Sequence, residues 1–438
     1  MEKLEGDCTM NKCINTVDRR GFITAAAALA AAPSVLGGAK RVFKVALIGC
    51  GGRGTGAAGD ITAAAKHLGC EVKFVACCDF FKEKAMAFAQ KFGVPESWTF
   101  DGARGYRSVM ESDAEIVLLA TPPFFRPLHF KAAVAAGKHV FVEKPAATDP
   151  RGLRDFLETA KVAKARDLSV LAGTVHRHSN RYLRQLKAFR SGEAIGRPVA
   201  GQAYRCGSVI MLHPRKPGMT NAAYLCDNWY FFRAMSGDQV VEQAMHQVDD
   251  ISYMLDRYPK SAFGLGARVR RPAGIGDVYD CQAIDWDYGD EFHVTMLARQ
   301  MDGCKNRVGA RIVGTEGTIM LGEWIKRYDG KTVPPDEEAC RGRLENHFVQ
   351  EHVDFLNGLL TGRKLFECES VAYSTATAMI GTFACYSGQE VAIDDILVNK
   401  ASPFYDGYNN TIVPEMFDET EDVPVPTEGI APVPGVKA

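Results

Sequence analysis

Gly49, Gly51 and Gly54 stand in a Gly-x-Gly-x-x-Gly spacing, directly after an apolar run at 44–48 and before a helical pattern that extends to about residue 68. That placement suits the phosphates of a dinucleotide. Gly49 permits a tight turn, Gly51 lets the backbone approach a pyrophosphate, and Gly54 lets helix and strand pack closely. The helix start then offers free N–H groups and its positive dipole end. Asp79 closes the next apolar run, 71–78. A carboxylate there accepts hydrogen bonds from ribose hydroxyls and repels a 2′-phosphate. NAD is therefore the expected cofactor and NADP the less favoured one, although Arg53, if it lies near the adenosine, would hold a 2′-phosphate. The plain alternative is a glycine turn with no ligand. Glu143-Lys144-Pro145 follows a further apolar run at 139–142. Carboxyl ends of such strands face the ligand crevice, and Pro145 biases Lys144 to an extended backbone. An ammonium there would point at the nicotinamide ring, whose positive charge would lower its pKa and suit it to moving a proton or polarising a hydroxyl. The alternative is a surface lysine at a strand end.

The elements that must position these residues follow from the apolar pattern. Runs at 44–48, 71–78, 116–121, 139–142 and 169–175 read as buried parallel strands, and the stretches at 82–92, 127–136 and 151–166 between them as helices. Strand and helix alternating at this spacing predict an α/β Rossmann fold, a doubly wound parallel sheet. From about Ser179 the texture changes to alternating segments at 198–206, 262–270, 279–288, 291–297, 311–313 and 318–321, with helices expected over 237–255, 345–360 and 370–385. This predicts a C-terminal α+β domain with a largely antiparallel open sheet, one face of it wet. The expected division is a signal over 1–39, an NAD-binding domain over 40–178, an α+β substrate and oligomerisation domain over 179–400, and a tail over 401–438, loose from about Asp418 where Pro, Glu and Val dominate.

Taken together, Gly49-x-Gly51-Gly52-Arg53-Gly54, Ala120-Thr121-Pro122-Pro123 with His129, and Glu143-Lys144-Pro145 resemble the Gfo/Idh/MocA family of sugar and inositol dehydrogenases. The resemblance extends to Glu345-Asn346-His347 and to Ala384-Cys385-Tyr386-Ser387-Gly388-Gln389, so it spans nearly the whole chain after residue 39. It implies that Gly52, Arg53, Thr121, Pro122, His129 and Glu143 join Gly49, Gly51, Gly54, Asp79 and Lys144 around the cofactor. Family members also carry an Asp-x-x-x-His on a later helix. This chain has Glu242 and His246 there, four residues apart and so on one helix face. The resemblance implies that His246 is the acid/base catalyst at the reacting hydroxyl, with Glu242 assisting or binding substrate; the longer arm of Glu242 departs from the family pattern. A capped core histidine and a solvated glutamate are the plain alternatives.

His176, Arg177 and His178 follow the strand expected at 169–175, and an extended backbone would put the two histidines on one side, towards substrate or nicotinamide. No third ligand accompanies them, so no metal is expected. Trp229, within Asn228-Trp229-Tyr230-Phe231-Phe232, would offer an apolar face to a sugar ring; core packing accounts for most of those aromatics equally well.

The expected reaction is NAD-dependent oxidation of a sugar hydroxyl. One alternative is redox-neutral glycoside cleavage through a keto-sugar, and another is a non-catalytic dinucleotide-binding protein. The bulk numbers agree with a two-domain enzyme: 46% hydrophobic, 24% charged, net charge −1. That charge gives no long-range reason to bind nucleic acid, and no apolar stretch after residue 39 is long enough to span a membrane. Thirteen cysteines without a Cys-x-x-Cys pair read as scattered buried thiols, with Cys77 and Cys78 on opposite strand faces. Asp18-Arg19-Arg20-Gly21-Phe22-Ile23, followed by an Ala-rich apolar stretch and Gly37-Gly38-Ala39, reads as a twin-arginine signal. The expected partners are thus a carbohydrate, the twin-arginine export machinery and a second copy of the chain, as homodimer or homotetramer. The expected location is the periplasm or beyond, with the cofactor loaded before export.

Overall fold

The structure is a computed structural model that describes residues 40–210, 212–407, 412–418, 423–430 and 433–434. The expected signal at 1–39 lies outside the described residues. Apolar side chains on both faces of β1 (Val42–Ile48) make it a central strand. It pairs in parallel with β2 (Glu71–Asp79) and β4 (Ile116–Leu119). With β3 (Thr99–Asp101), β5 (His139–Val142) and β6 (Val170–Ala172) they form a six-stranded parallel sheet of order β3-β2-β1-β4-β5-β6. Order reverses between β1 and β4, and that switch point is where ligands bind in such sheets. Helices α1 (Gly52–His67), α2 (Lys82–Phe92), α3 (Tyr106–Glu111), α4 (Arg126–Ala135) and α5 (Pro150–Ala165) accompany the strands. Cys77 and Cys78 enter different cores, one on each side of the sheet. The three-residue β3 and the six-residue α3 escape a pattern-based reading because neither is long enough to show a period.

After α6 (Asn180–Arg190) the chain builds an eight-stranded sheet. Its strands are β7 (Pro198–Gly207), β8 (Ser261–Ala267), β9 (Cys281–Asp287), β10 (His293–Gln300), β11 (Arg307–Gly314), β12 (Gly317–Met320), β13 (Trp324–Arg327) and β14 (Val391–Ala392), in the order β13-β12-β11-β7-β10-β9-β8-β14. The sheet is mixed, because β7 and β10 run parallel. One face packs on α7 (Met245–Leu255) and the almost wholly buried α9 (Cys368–Ser387); the other leaves Phe263, Leu265, Leu297 and Val308 more than half exposed. From the C-terminal half, α8 (His347–Thr361) returns to pack along α1 against the parallel sheet.

Two segments differ from expectation. The helix expected over 237–255 begins as a π-helical turn, Val240–Ala244, before becoming α7. Of the tail expected over 401–438, some described residues pack on the body while Met416, Ile430 and Val433 are exposed. Ile412, Phe417 and Val423 are buried with Phe124, Phe125, Phe231 and Phe232, and Asp418 Oδ2 lies 2.9 Å from Arg104 Nη2. Among the described residues no helix is long and apolar enough to cross a membrane, and all eleven cysteines are free thiols, eight of them buried.

Candidate active site

The first turn of α1 opens into a cavity of about 560 Å³ lying between the two halves of the molecule, a size that suits a cofactor with a small substrate. Gly49 has φ +96°, and a Cβ there would meet the Ala120 backbone at 2.6 Å. At Gly54 a Cβ would lie 1.8 Å from the Gly49 carbonyl oxygen. Gly51 and Gly52 have no atom within 4 Å of a Cβ position, so the backbone there faces free space. No acidic residue occupies the first turn of α1. The bare glycine cradle, the helix N-terminus and the lack of carboxylates fit a pyrophosphate. Asp79 is buried at the end of β2, where it accepts hydrogen bonds from Cys50 N at 2.7 Å and Phe81 N at 2.9 Å. Burial raises its pKa, and the two backbone donors oppose that shift.

Arg53 lines the cavity with its guanidinium held by acidic side chains. Its guanidinium pairs with Glu143, lies 3.2 Å from Asp60 Oδ2 and 3.3 Å from Glu351 Oε1. Three carboxylates thus surround its guanidinium. Glu143 in turn accepts from the Lys144 backbone N–H at 3.1 Å, so the glycine loop and the Glu143-Lys144 segment are held in register. Thr121, Pro122 and His129 line the same cavity. His129 Nδ1 sits 3.3 Å from Thr121 Oγ1, and burial, aided by the Arg126 charge, holds its pKa down at about 3, so the ring is neutral. Arg126, which the motifs alone do not single out, donates to Pro145 O at 2.7 Å and Thr121 O at 3.0 Å and ties the two loops together.

Lys144, Glu242 and His246 all line the cavity. Lys144 and Glu242 are 7% and 4% exposed. Lys144 Nζ donates to Glu242 Oε1 at 2.7 Å and also to the Glu242 carbonyl. Burial favours the neutral acid at Glu242, but the Lys144 charge and hydrogen bond win and its pKa is lowered. The π-helical turn carries Glu242, so Glu242 and His246 are not the regular α-helical i, i+4 pair that their spacing suggests. His246 makes no hydrogen bond to a protein group among the described residues, and burial together with the charges of Lys144, His176, Arg205 and Arg53 keeps its pKa well below the usual histidine range. An uncharged imidazole, an ammonium and an ionised carboxylate therefore meet at one wall.

Trp229 lines the cavity, stacked on Tyr230 at 4.0 Å between ring centroids. Tyr230 accepts from the amide of Gln243, and Gln243 accepts from Arg205. These three polar residues have no motif to announce them; their meeting depends on β7 and the π-helical turn. The residues 175–178 form a 3-10 turn rather than an extended strand, so His176 and His178 do not share a side. His176 lies behind His246, with ring centroids 5.4 Å apart. Arg177 is turned away from the cavity and clamps Asp249 with two hydrogen bonds, 2.9 and 2.6 Å. His178 is buried against Asp354. None of His176, Arg177 and His178, expected to face substrate, lines the cavity. Among the described residues no group of three or more His, Cys, Asp or Glu side chains has metal-binding geometry.

Comparison with known proteins follows this geometry. A family described as "Oxidoreductase family, NAD-binding Rossmann fold" matches residues 43–171, and "GFO/IDH/MocA C-terminal domain" matches residues 183–320, together more than half of the chain. A "Glycosyl hydrolase family 109 protein" of Streptomyces coelicolor is 37% identical over 123 residues, which cover 27% of this chain and 25% of that protein. An inositol 2-dehydrogenase of Acidothermus cellulolyticus is 23% identical over 262 residues, 59% of this chain and 70% of that protein. A 1,5-anhydro-D-fructose reductase of Ensifer adhaerens is 25% identical over 247 residues, 54% and 65%. The matched segments thus span a quarter of the first relative and about two thirds of the others. Among solved structures, scyllo-inositol dehydrogenase from Lactobacillus casei, with bound NAD(H) and scyllo-inositol, superposes with a TM-score of 0.62 at 19% identity, covering 81% of this chain and 99% of that one. Aldose-aldose oxidoreductase from Caulobacter crescentus gives 0.62 at 18%, covering 80% and 100%. At these identities the superpositions establish the fold.

Proposed function

The chain belongs to the Gfo/Idh/MocA family of NAD-binding oxidoreductases, whose members here include enzymes of sugars and polyols, and from that premise we propose that it oxidises a hydroxyl of a sugar or sugar derivative with NAD that it retains between turnovers. The observation that carries this reading is the meeting of Lys144, Glu242 and His246 in the cavity that the glycine turn opens into. Bound NAD supplies the hydride acceptor. The chain supplies the rest. His246, held neutral, accepts the hydroxyl proton. Lys144, oriented by Glu242, holds the substrate oxygen and stabilises the negative charge that develops on it. Trp229 gives the sugar ring an apolar face.

Retention is supported by the C-terminal segment. Phe417 packs on Phe80 at 6.0 Å and on Phe125 at 5.1 Å between centroids, and both of those rings line the cavity. The segment therefore backs the cavity wall next to Asp79. A protein exported folded through the twin-arginine route would carry its cofactor with it, which agrees with slow release. The test is to denature the protein, purified without added cofactor, and quantify the nucleotide released. Near-stoichiometric NAD(H) is expected; an empty protein sinks the retention reading. Lys144→Met and His246→Asn should each lower the rate of NAD reduction by about 10²–10⁴-fold. Undiminished activity in both would favour a protein that binds dinucleotide without using these groups.

A second reading, redox-neutral glycoside cleavage, is favoured by the 37% identity to the glycosyl hydrolase family 109 protein. Oxidation at a ring carbon, C3 in this reading, acidifies the neighbouring C2–H. Loss of that proton expels the C1 group, water adds at C1, and the ketone is reduced again. Cleavage in deuterium oxide would place deuterium at C2 of the product; product without it rules this route out.

A further inference from the structure

We propose that His176 and His347 form a proton path that carries the proton taken up by His246 from the cavity to the surface, a proposal that rests on His246 acting as the base in the oxidoreductase reading. Three imidazoles stand in sequence. His246 lines the cavity. His176 follows at 5.4 Å between ring centroids, and His347, at the start of α8, at 6.0 Å from His176. No direct hydrogen bond joins the rings, and at these separations one bridging water closes each gap. All three are partly exposed: His246 lines the cavity, the His176 side chain is 27% exposed, and His347 lies at the start of α8.

The middle ring is built for the task. Its Nδ1 is 2.9 Å from Asp250 Oδ1, and the other oxygen of Asp250 accepts from Tyr182 O–H at 2.8 Å. Asp250 is 2% exposed, so its acceptor capacity is directed at these two partners. A carboxylate on Nδ1 fixes the N–H tautomer there and leaves Nε2 as the proton acceptor. Tyr182 also stacks on the ring, 5.0 Å between centroids with an interplanar angle of 12°, which holds its orientation. The charged groups facing His176 are Asp250 and Asp249 from α7 and Arg205 from β7; burial lowers its pKa, the two aspartates outweigh that, and the net shift is upward. His246 and His347 are both shifted downward. The balance of the step is simple. The substrate O–H bond breaks as its proton joins a ring nitrogen of His246, while the hydride leaves for NAD. That proton then passes to Nε2 of His176, whose Nδ1–H stays on Asp250, and from His176 it reaches His347 and water. No further oxidant or reductant is involved.

In the same turn Arg177 pairs with Asp249 and His178 with Asp354, and His176 is the ring that stands beside His246, so the path needs His176 alone from this segment. His176 does not itself line the cavity, and it acts through His246, which does.

The experiment uses full-length protein loaded with NAD. Polyols and methyl pyranosides are screened for NAD reduction, and proton release is followed by a pH-indicator dye beside NADH absorbance in stopped flow. In His176→Gln, proton release should slow at least tenfold with KM unchanged, and added imidazole should restore it; His347→Gln should give a smaller loss with the same rescue. Unchanged release, or loss without rescue by imidazole, overturns the path. In parallel, the histidines of ¹⁵N-labelled protein are titrated by NMR. His246 should titrate at higher pH in His176→Gln than in the parent, because a neighbouring positive ring is removed. An unmoved His246 also overturns the proposal, whether or not a substrate is found. Failure of every polyol and pyranoside to reduce NAD would instead fall on the oxidoreductase reading.

Discussion

His178 is buried between Asp354 and Glu367, with Nδ1 2.7 Å from Asp354 Oδ2 and Nε2 3.3 Å from Glu367 Oε1. Burial alone would push its pKa down, but the two carboxylates outweigh it and raise the value from 6.5 to about 10. Between those two values the folded protein binds a proton that the unfolded chain does not. The associated stability is therefore fully present below pH 6.5 and is lost as pH rises towards 10, a loss on the order of 5 kcal/mol for an isolated group. Thermal midpoints measured from pH 6.5 to 10 should fall more steeply in the parent than in His178→Gln. Parallel profiles for the two proteins would show that the carboxylates do not hold the proton. Glu367, which also accepts from Ala172 N at 2.9 Å, joins this pair to β6, so the same charges steady the strand that leads into the 3-10 turn.

At the scale of elements, the junction of β1 and α1 separates cofactor binding from folding. Gly51 and Gly54 differ by three positions but face different surroundings: open cavity at one, the Gly49 carbonyl oxygen at the other. Gly51→Ala should leave thermal stability without cofactor nearly unchanged and weaken NAD binding at least tenfold, because the added methyl projects where the phosphates would pass. Gly54→Ala should destabilise the protein itself by about 1–3 kcal/mol or more, since strand and helix must move apart. Calorimetric titration with NAD and thermal melts of the two variants check this; equal melts for both would reject the assignment. The π-helical turn at Val240–Ala244 plays the corresponding part on the opposite wall, where it presents Glu242 to Lys144.

For the molecule as a whole, the C-terminal segment links its two ends. Phe417 contacts rings that follow β2 and β4, Asp418 pairs with Arg104, and Glu428 accepts from Gly276 N at 3.0 Å and Tyr224 O–H at 3.3 Å. Removal of residues beyond 407, or the single change Phe417→Ala, should raise the dissociation rate of NAD(H) at least tenfold while the circular dichroism spectrum is kept. Stopped-flow displacement measures it, and an unchanged rate in both variants would show that the segment takes no part in holding the cofactor.

The sequence by itself determined the parallel sheet, the glycine turn and the motif strands. A strand buried on both faces is an unbroken apolar run, and a backbone that must pass within contact of a carbonyl or a phosphate needs glycine, so both leave local marks. It also brought Lys144, Glu242 and His246 into one candidate set through family resemblance. Tertiary structure decided which neighbours reach the site. His176, Arg177 and His178 are adjacent in sequence, yet their carboxylate partners stand 74, 72 and 176 residues away, and those partners send one ring towards His246 and the other two side chains elsewhere. The partners of Arg53 likewise come from afar, Glu143 from the end of β5 and Glu351 from α8. The tail has no period to read. Its order comes from a groove of Phe80, Phe124 and Phe125 that exists only once the parallel sheet has formed.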